Sequence, residues 1–298
     1  MFTIGIIGTN GQLGKALLHR SLGDDVAIEA FGRATCDITD ENSVEQGLKN
    51  KSLDLVVNAA AYTAVDQAEK EPERAYAANA QGPAHLASFC ARQSIPLIHI
   101  STDYVFDGTK TIPYREDDAL APLGVYGESK AQGEENVRRL LARHIIIRTA
   151  WLYSATGHNF VKTMLRLGRE NPVLKVVDDQ HGCPTSAADL ADAIWHVVMA
   201  IRRNDQSCWG TYHYCNQGET TWYGLAQSVF ERARAYSGYT LQVKQLLPIP
   251  TSAYPTPARR PVYSVLNCDL IQSTFQMKIR NWHYALYDTM DELVSHTK

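Results

Sequence analysis

The chain has 298 residues, with 29 Lys and Arg against 32 Asp and Glu, a net charge of −3, so it lacks the basic surface that nucleic acid or an anionic membrane would require. Hydrophobic residues at 45% and charged ones at 20% are the balance of a globular protein in water; no apolar run reaches the roughly 18 residues that cross a bilayer. Cys36, Cys90, Cys183, Cys208, Cys215 and Cys268 show no metal-ligand spacing and read as reduced structural thiols, and with no signal-peptide pattern at the N-terminus the cytoplasm is the expected location.

Residues 3–14 read Thr-Ile-Gly-Ile-Ile-Gly-Thr-Asn-Gly-Gln-Leu-Gly, an apolar strand running into a glycine turn and then a helix. The spacing Gly8-x2-Gly11-x2-Gly14 departs from the Gly-x-Gly-x2-Gly dinucleotide fingerprint, yet each glycine has a use. One supplies a turn with positive φ, one lets backbone approach a pyrophosphate, and one packs the helix closely on the strand. The free N–H groups of that helix point at the phosphates. Gly8, Asn10, Gly11, Gln12, Leu13 and Gly14 are therefore assigned to a dinucleotide.

Apolar runs at 26–31, 55–57, 96–100 and 144–147 read as further strands, with helical stretches at 41–50, 72–92 and 126–142 between them. Strand and helix in alternation predict an α/β fold, a parallel sheet covered on both faces, with its site at the carboxyl ends of the strands. After the second run comes Arg33, with no acidic residue in the place suited to a free ribose hydroxyl. Its guanidinium can fork onto a 2′-phosphate, which favours NADPH over NADH. Asp37 and Ile38 would border the adenine, and the small residues Ala59, Ala60 and Ala61, followed by Tyr62 and Thr63, would let a flat ligand lie against the backbone.

The fourth run ends in Ser101-Thr102-Asp103-Tyr104, and a turn-rich loop leads to Tyr126-Gly-Glu-Ser-Lys130. Tyr126 and Lys130 are four apart at a helix start and share a face. An ammonium beside a phenol favours phenolate and brings its pKa nearer the range of efficient proton transfer.

Gly8-x2-Gly11-x2-Gly14, Asn58-Ala-Ala-Ala, Ser101-Thr102 and Tyr126-x3-Lys130 resemble the extended short-chain dehydrogenase/reductases. The resemblance implies a Rossmann-type doubly wound sheet with a smaller C-terminal α/β substrate-binding lobe. Residues 1–150 would bind NAD(P), and 151–298 would mainly bind substrate, some of the chain returning to the first domain. A narrower resemblance, to the branch that reduces dTDP-4-dehydro-L-rhamnose, rests on Ser-Thr-Asp-Tyr-Val-Phe-Asp-Gly at 101–108, Arg148-Thr-Ala-Trp151-Leu-Tyr153, Asp179-Gln-x-Gly182-x-Pro184-Thr185, Thr221-Trp222-Tyr223 and Pro257-Ala-Arg-Arg-Pro261. These motifs span nearly the whole length.

In the second half, 159–168 and 186–202 are amphipathic helical patterns, 210–215 a short strand, 221–235 a helix capped by Thr221, and 282–295 a closing helix. Five prolines within the 14 residues 248–261 are too many for a regular element and predict a rigid loop over the site. Arg259 and Arg260 in that loop could clamp a substrate pyrophosphate.

The resemblance implies hydride addition to C4 of a keto sugar. Tyr126 would protonate the oxygen, Thr102 would stabilise it, and Lys130 would lower the phenol pKa and hold the nicotinamide ribose. Asp103 and Trp151 are carried over as substrate contacts, Trp151 offering a flat face to the deoxysugar. Dehydratases of similar fold carry Thr-Asp-Glu, whereas the third residue here is Tyr104. An epimerase would use the same Tyr, Lys and hydroxyl, so only the C-terminal motifs argue against it. A non-catalytic binding subunit would have no need of Tyr126 and Lys130. The helix after the glycine loop begins Lys15-Ala16, without the acidic side chains of a divalent-metal site, so no metal is expected. A homodimer is compatible with these residues but not specified by them.

Overall fold

The computed structural model describes residues 1–19, 25–203 and 208–295. Strands β1 (Phe2–Ile7), β2 (Val26–Phe31), β3 (Leu55–Asn58), β4 (Leu97–Thr102), β5 (His144–Thr149) and, from much later in the chain, Gly210–His213 form one parallel sheet. Its order is Gly210–His213, β5, β4, β3, β1, β2. Helices α1 (Gln12–Leu18), α2 (Glu41–Leu48), α3 (Val65–Ala68), α4 (Pro72–Tyr76), α5 (Gly82–Gln93) and α6 (Val125–Leu140) connect the early strands.

Each central strand is apolar on both faces because it serves two cores. Ile4, Ile6, Leu55, Val57, Ile98, Ile145 and Ile147 point to one of them, while Ile7, Val56, Leu97 and Ile146 point to the other. The second core is closed by α2, α5 and α6 through Val44, Leu48, Leu86, Phe89 and Val137. The first is closed by α1 and by a helix from the second half of the chain.

That half contains β6 (Leu152–Tyr153), α7 (Phe160–Glu170), β7 (Val173–Val177), β8 (His181–Gly182), β9 (Thr185–Ser186), α8 (Ala187–Arg202), β10 (Gly210–His213), β11 (Thr220–Thr221), α9 (Trp222–Arg234), β12 (Gln245–Ile249), α10 (Asp269–Phe275) and α11 (Trp282–Ser295). Helix α8 lays Leu190, Ile194, Val197 and Val198 on the large sheet, and β10 pairs parallel to β5. The remaining elements build a smaller core in which Val161, Leu165, Val229, Phe230, Leu286 and Met290 are buried. Among the described residues, no helix is long and apolar enough to cross a membrane.

Two expectations need correction. The helix expected over 72–92 is interrupted by a π turn at Ala77–Gln81, closed by the Gly82 N–H donating to Ala77 O. Pro83 has no N–H for the Asn79 carbonyl, so regular α pairing fails there. Gly133 of α6 packs into the gap, where an added Cβ would lie 2.0 Å from Asn79 O. The proline-rich stretch is also not irregular from its start, because Pro248 lies within β12, paired parallel to β7 in a two-stranded sheet. An edge strand tolerates proline when its missing N–H faces away from the ladder.

Candidate active site

The glycine loop has the stereochemistry its sequence suggests. Gly8 has φ +85°, and a Cβ there would stand 2.6 Å from the Ala60 nitrogen. At Gly14 a Cβ would stand 2.3 Å from Gly8 O, so α1 rests directly on the turn. Gly11 donates to Gly8 O at 3.0 Å and begins the helix in an extended conformation, with nothing nearer its absent Cβ than 3.4 Å.

A cavity of about 360 Å³ opens at the carboxyl ends of β1, β2 and β3. Of the residues assigned to a dinucleotide, Gly8, Asn10, Gly11, Arg33, Asp37 and Ile38 line it, as do Ala59, Ala60, Ala61 and Tyr62. This groove, walled by glycine and alanine at the mouth of a helix, fits a dinucleotide, since the Cβ that Gly8 lacks would close the turn onto Ala60. Gln12, Leu13, Gly14 and Thr63 are not part of its wall. Leu13 is buried in the core beneath, and Thr63 is exposed. The Gln12 side chain turns away to the other half of the chain, where its Oε1 accepts from Ser154 Oγ at 3.0 Å and Asn159 Nδ2 at 2.8 Å.

Arg33 sits at the rim with its side chain 74% exposed, and its Nε donates to Asp37 Oδ2 at 2.9 Å. The other oxygen of Asp37 accepts from the Thr39 N–H and hydroxyl, and these bonds and Arg33 hold the carboxyl below its usual pKa against the effect of burial. Asp37 thus keeps its place in the cavity wall while also supporting its own loop and Arg33. Arg74 also lines the cavity, anchored by Glu71 at 2.6 Å. Sequence reading missed Arg74 because it lies in a helix far along the chain and only the fold brings it to the same cavity as Arg33.

Thr102, Tyr126 and Lys130 converge from the end of β4 and the start of α6. All three are buried, with Tyr126 packed among Tyr62, Ala75 and Tyr104, so that it joins the cavity wall through Tyr62. Thr102 Oγ1 donates to Asp103 Oδ1 at 3.0 Å. Burial raises the Tyr126 phenol pKa, with a hydrogen-bonding contribution from Thr102 opposing it. The lowering expected from Lys130 is not among the influences on that phenol. Lys130 instead donates to the Ile100 carbonyl at 2.5 Å, and burial draws its own pKa down to about 8. At neutral pH the phenol therefore keeps its proton.

Beneath these groups, Glu134 is fully buried and receives Arg148 through two bonds, Nε at 2.9 Å and Nη2 at 2.8 Å, with Arg138 at 2.6 Å. Asn79 of the π turn accepts from the Tyr62 N–H and donates to Ser129 Oγ, tying the cavity wall to α6. Neither the Glu134 cluster nor Asn79 stands out in the sequence, since Glu134 is one of two adjacent glutamates and Asn79 one polar residue between alanines.

The expected substrate contacts are distributed unevenly. Asp103 is 1% exposed, and burial raises its carboxyl to about 6 while the neighbouring Ser264 and Thr102 hydroxyls draw it back. Trp151 has φ +47° and stacks on Trp222 at 3.6 Å with an interplanar angle of 7°, so one face expected for the sugar is taken by a second indole. Arg260 is engaged inward, donating to Asp66 Oδ2 at 2.9 Å and to Tyr104 Oη at 3.3 Å, whereas Arg259 is exposed. The proline-rich loop thus does lie against the first half of the chain, but Arg260 serves to fasten it there.

A family model described as the RmlD substrate binding domain matches residues 2–295. The dTDP-4-dehydrorhamnose reductase of Escherichia coli (strain K12) is 41% identical over 296 residues, covering 98% of each chain. The chain belongs to the RmlD family. The dTDP-4-dehydrorhamnose reductase of Sinorhizobium fredii is likewise 41% identical, over 94% of this chain and 93% of its own. The solved dTDP-4-dehydrorhamnose reductase of Bacillus anthracis, in complex with NADP, superposes with a TM-score of 0.89 at 36% identity, covering 98% of this chain and all of that one at 100%. A UDP-glucose 4-epimerase from Thermus thermophilus, in complex with NAD, superposes at 0.79 with only 17% identity, over 98% of this chain and 99% of that one, and shares the fold alone. RmlD membership thus extends through both halves of the chain and not just the nucleotide-binding fold.

Proposed function

We propose that this chain is a cytoplasmic dTDP-4-dehydrorhamnose reductase, reducing the C4 ketone of dTDP-4-dehydro-L-rhamnose to dTDP-L-rhamnose with NADPH, NADH being the weaker donor. The observation that carries the reading is the burial of Thr102, Tyr126 and Lys130 together at the end of β4 and the start of α6, on the same carboxyl side of the sheet as the glycine-walled cavity. The bound dinucleotide supplies the hydride. Tyr126 holds a proton at neutral pH and gives it to the C4 oxygen as negative charge develops there. The Thr102 hydroxyl donates to the same oxygen, its alternative partner being Asp103 at 3.0 Å. Lys130, charged below about pH 8, binds the nicotinamide ribose. Residues 1–150 provide most of the dinucleotide site, while 151–298 mainly hold the sugar nucleotide and send α8 and β10 back to the large sheet. The test supplies purified protein with dTDP-4-dehydro-L-rhamnose and NADPH or NADH, follows nicotinamide oxidation and identifies the sugar product. Absence of turnover, or a C4 epimer in place of dTDP-L-rhamnose, would reject the reading.

A further inference from the structure

Three thiols that the proposed chemistry does not use meet where the end of β10 passes the segment that follows the proline-rich loop. Cys215 Sγ lies 3.6 Å from Cys268 Sγ although the two are 53 residues apart in sequence. The Cys215 N–H also donates to Cys268 Sγ at 3.3 Å, so the two segments are held together at this point. Cys183 is a further hydrogen-bonding neighbour of Cys215. Cys268 is the one cysteine that is partly exposed, the other five being buried.

We propose that Cys268 and Cys215 form a reversible intramolecular disulfide, with a low-molecular-weight disulfide as the oxidant. The Cys268 thiolate attacks one sulfur of the oxidant, whose S–S bond breaks, and the departing thiolate takes up the proton that Cys268 has lost. The Cys215 sulfur then attacks the Cys268 sulfur and displaces the second small thiol, which carries away the proton of Cys215. Two protein thiols are oxidised and one small disulfide is reduced to two thiols. The sulfurs must close from 3.6 Å to about 2.05 Å, a movement within side-chain rotation and slight backbone adjustment. The other five cysteines are buried, so Cys268 is the thiol the oxidant can reach; the Cys215 thiol, raised by its hydrogen bonds to Cys183 and Cys268 and by burial, reacts only once the mixed disulfide at Cys268 stands beside it.

The bond would join two structurally defined points. Asn216, next to Cys215, accepts from the Ser186 N–H and donates to Asp189. On the other side Val265 O and the Asn267 N–H pair with Tyr114, just beyond the Ser264 that neighbours Asp103. Oxidation would therefore tie the last strand of the large sheet to the segment beneath Asp103.

The test incubates the native full-length protein with oxidised glutathione, blocks remaining thiols with iodoacetamide and maps the unreduced peptides by mass spectrometry. The expected result is loss of two of the six thiols, one linked pair containing Cys215 and Cys268, and full recovery with dithiothreitol. Cys215→Ser is expected to stop at a glutathione adduct on Cys268, and Cys268→Ser to lose no thiol. Retention of all six thiols by the native protein, a lasting glutathione adduct on its Cys268, or pairing through Cys183 would each overturn the proposal. The native map decides the matter without either variant.

Discussion

The Lys130 ammonium donates to the carbonyl of Ile100 at 2.5 Å, two residues before Thr102 on the same strand. This bond fixes the cation beside the end of β4 while burial lowers its pKa to about 8. Because the Tyr126 phenol is raised and not lowered, the first group of the pair to titrate on going alkaline is Lys130. Activity is therefore expected to fall as pH rises through about 8, where Lys130 loses its charge. A pH profile of kcat/KM for NADPH checks this, and Lys130→Met should show uniformly low activity with that limb removed. A profile flat to pH 10 would refute the assignment.

Tyr126→Phe removes the proton that the C4 oxygen needs while keeping the ring among Tyr62, Ala75 and Tyr104. The expected effect is a fall in kcat of roughly 10²- to 10⁴-fold, the range of general acid catalysis, with little change in KM. Steady-state rates of NADPH oxidation and a thermal melt, which should be nearly unchanged, separate lost chemistry from lost folding.

Arg33→Ala should raise KM for NADPH by about tenfold or more and leave NADH nearly unaffected, since a charged hydrogen bond contributes about 1.5–3 kcal/mol. Arg33 is held by Asp37 with its side chain 74% exposed, so the fold should not suffer. Equal losses for the two dinucleotides would end the 2′-phosphate role, and Arg74→Ala measured alongside would show whether the second rim arginine shares it.

Much of the large sheet is legible in the sequence for a simple reason. Ile145, Ile146 and Ile147 are consecutive and all buried because a central strand has a core on each side, and such runs stand out in any sequence. The pairing of Thr220–Thr221 with His181–Gly182 leaves no such trace, because two-residue strands have no periodicity. Charges are less legible still. Arg260 and Asp66 are 194 positions apart, and only the packed chain shows that the expected pyrophosphate clamp already has a carboxylate partner. Tyr126 and Lys130 are legible as neighbours, but not the burial that raises one group and lowers the other.

Glu134→Gln should destabilise the protein strongly, by about 3–5 kcal/mol, because it leaves the buried Arg148 guanidinium short of its counter-charge. The Glu134 carboxyl titrates below its ordinary 4.5 in the folded chain, despite burial, because Arg148 holds it ionised. Its stabilisation is thus fully present above about pH 4.5 and is lost as pH falls below that value. Denaturant melts at pH 7 and pH 4 test both points, since the gap between variant and parent should shrink in acid.

Gly8→Ala should cost about 1–3 kcal/mol and eliminate tight dinucleotide binding, because the new methyl would sit 2.6 Å from the Ala60 nitrogen at a residue with φ +85°. Calorimetric titration with NADP together with a thermal melt measures the two losses separately.

A single amide oxygen, that of Gln12, receives both Ser154 and Asn159 across the divide between the two halves of the chain. Asn159 also caps α7 by accepting from the Lys162 N–H, so helices α1 and α7 share one knot at their starting ends. Neither half can swing as an independent shutter without undoing that knot or dragging the other helix along.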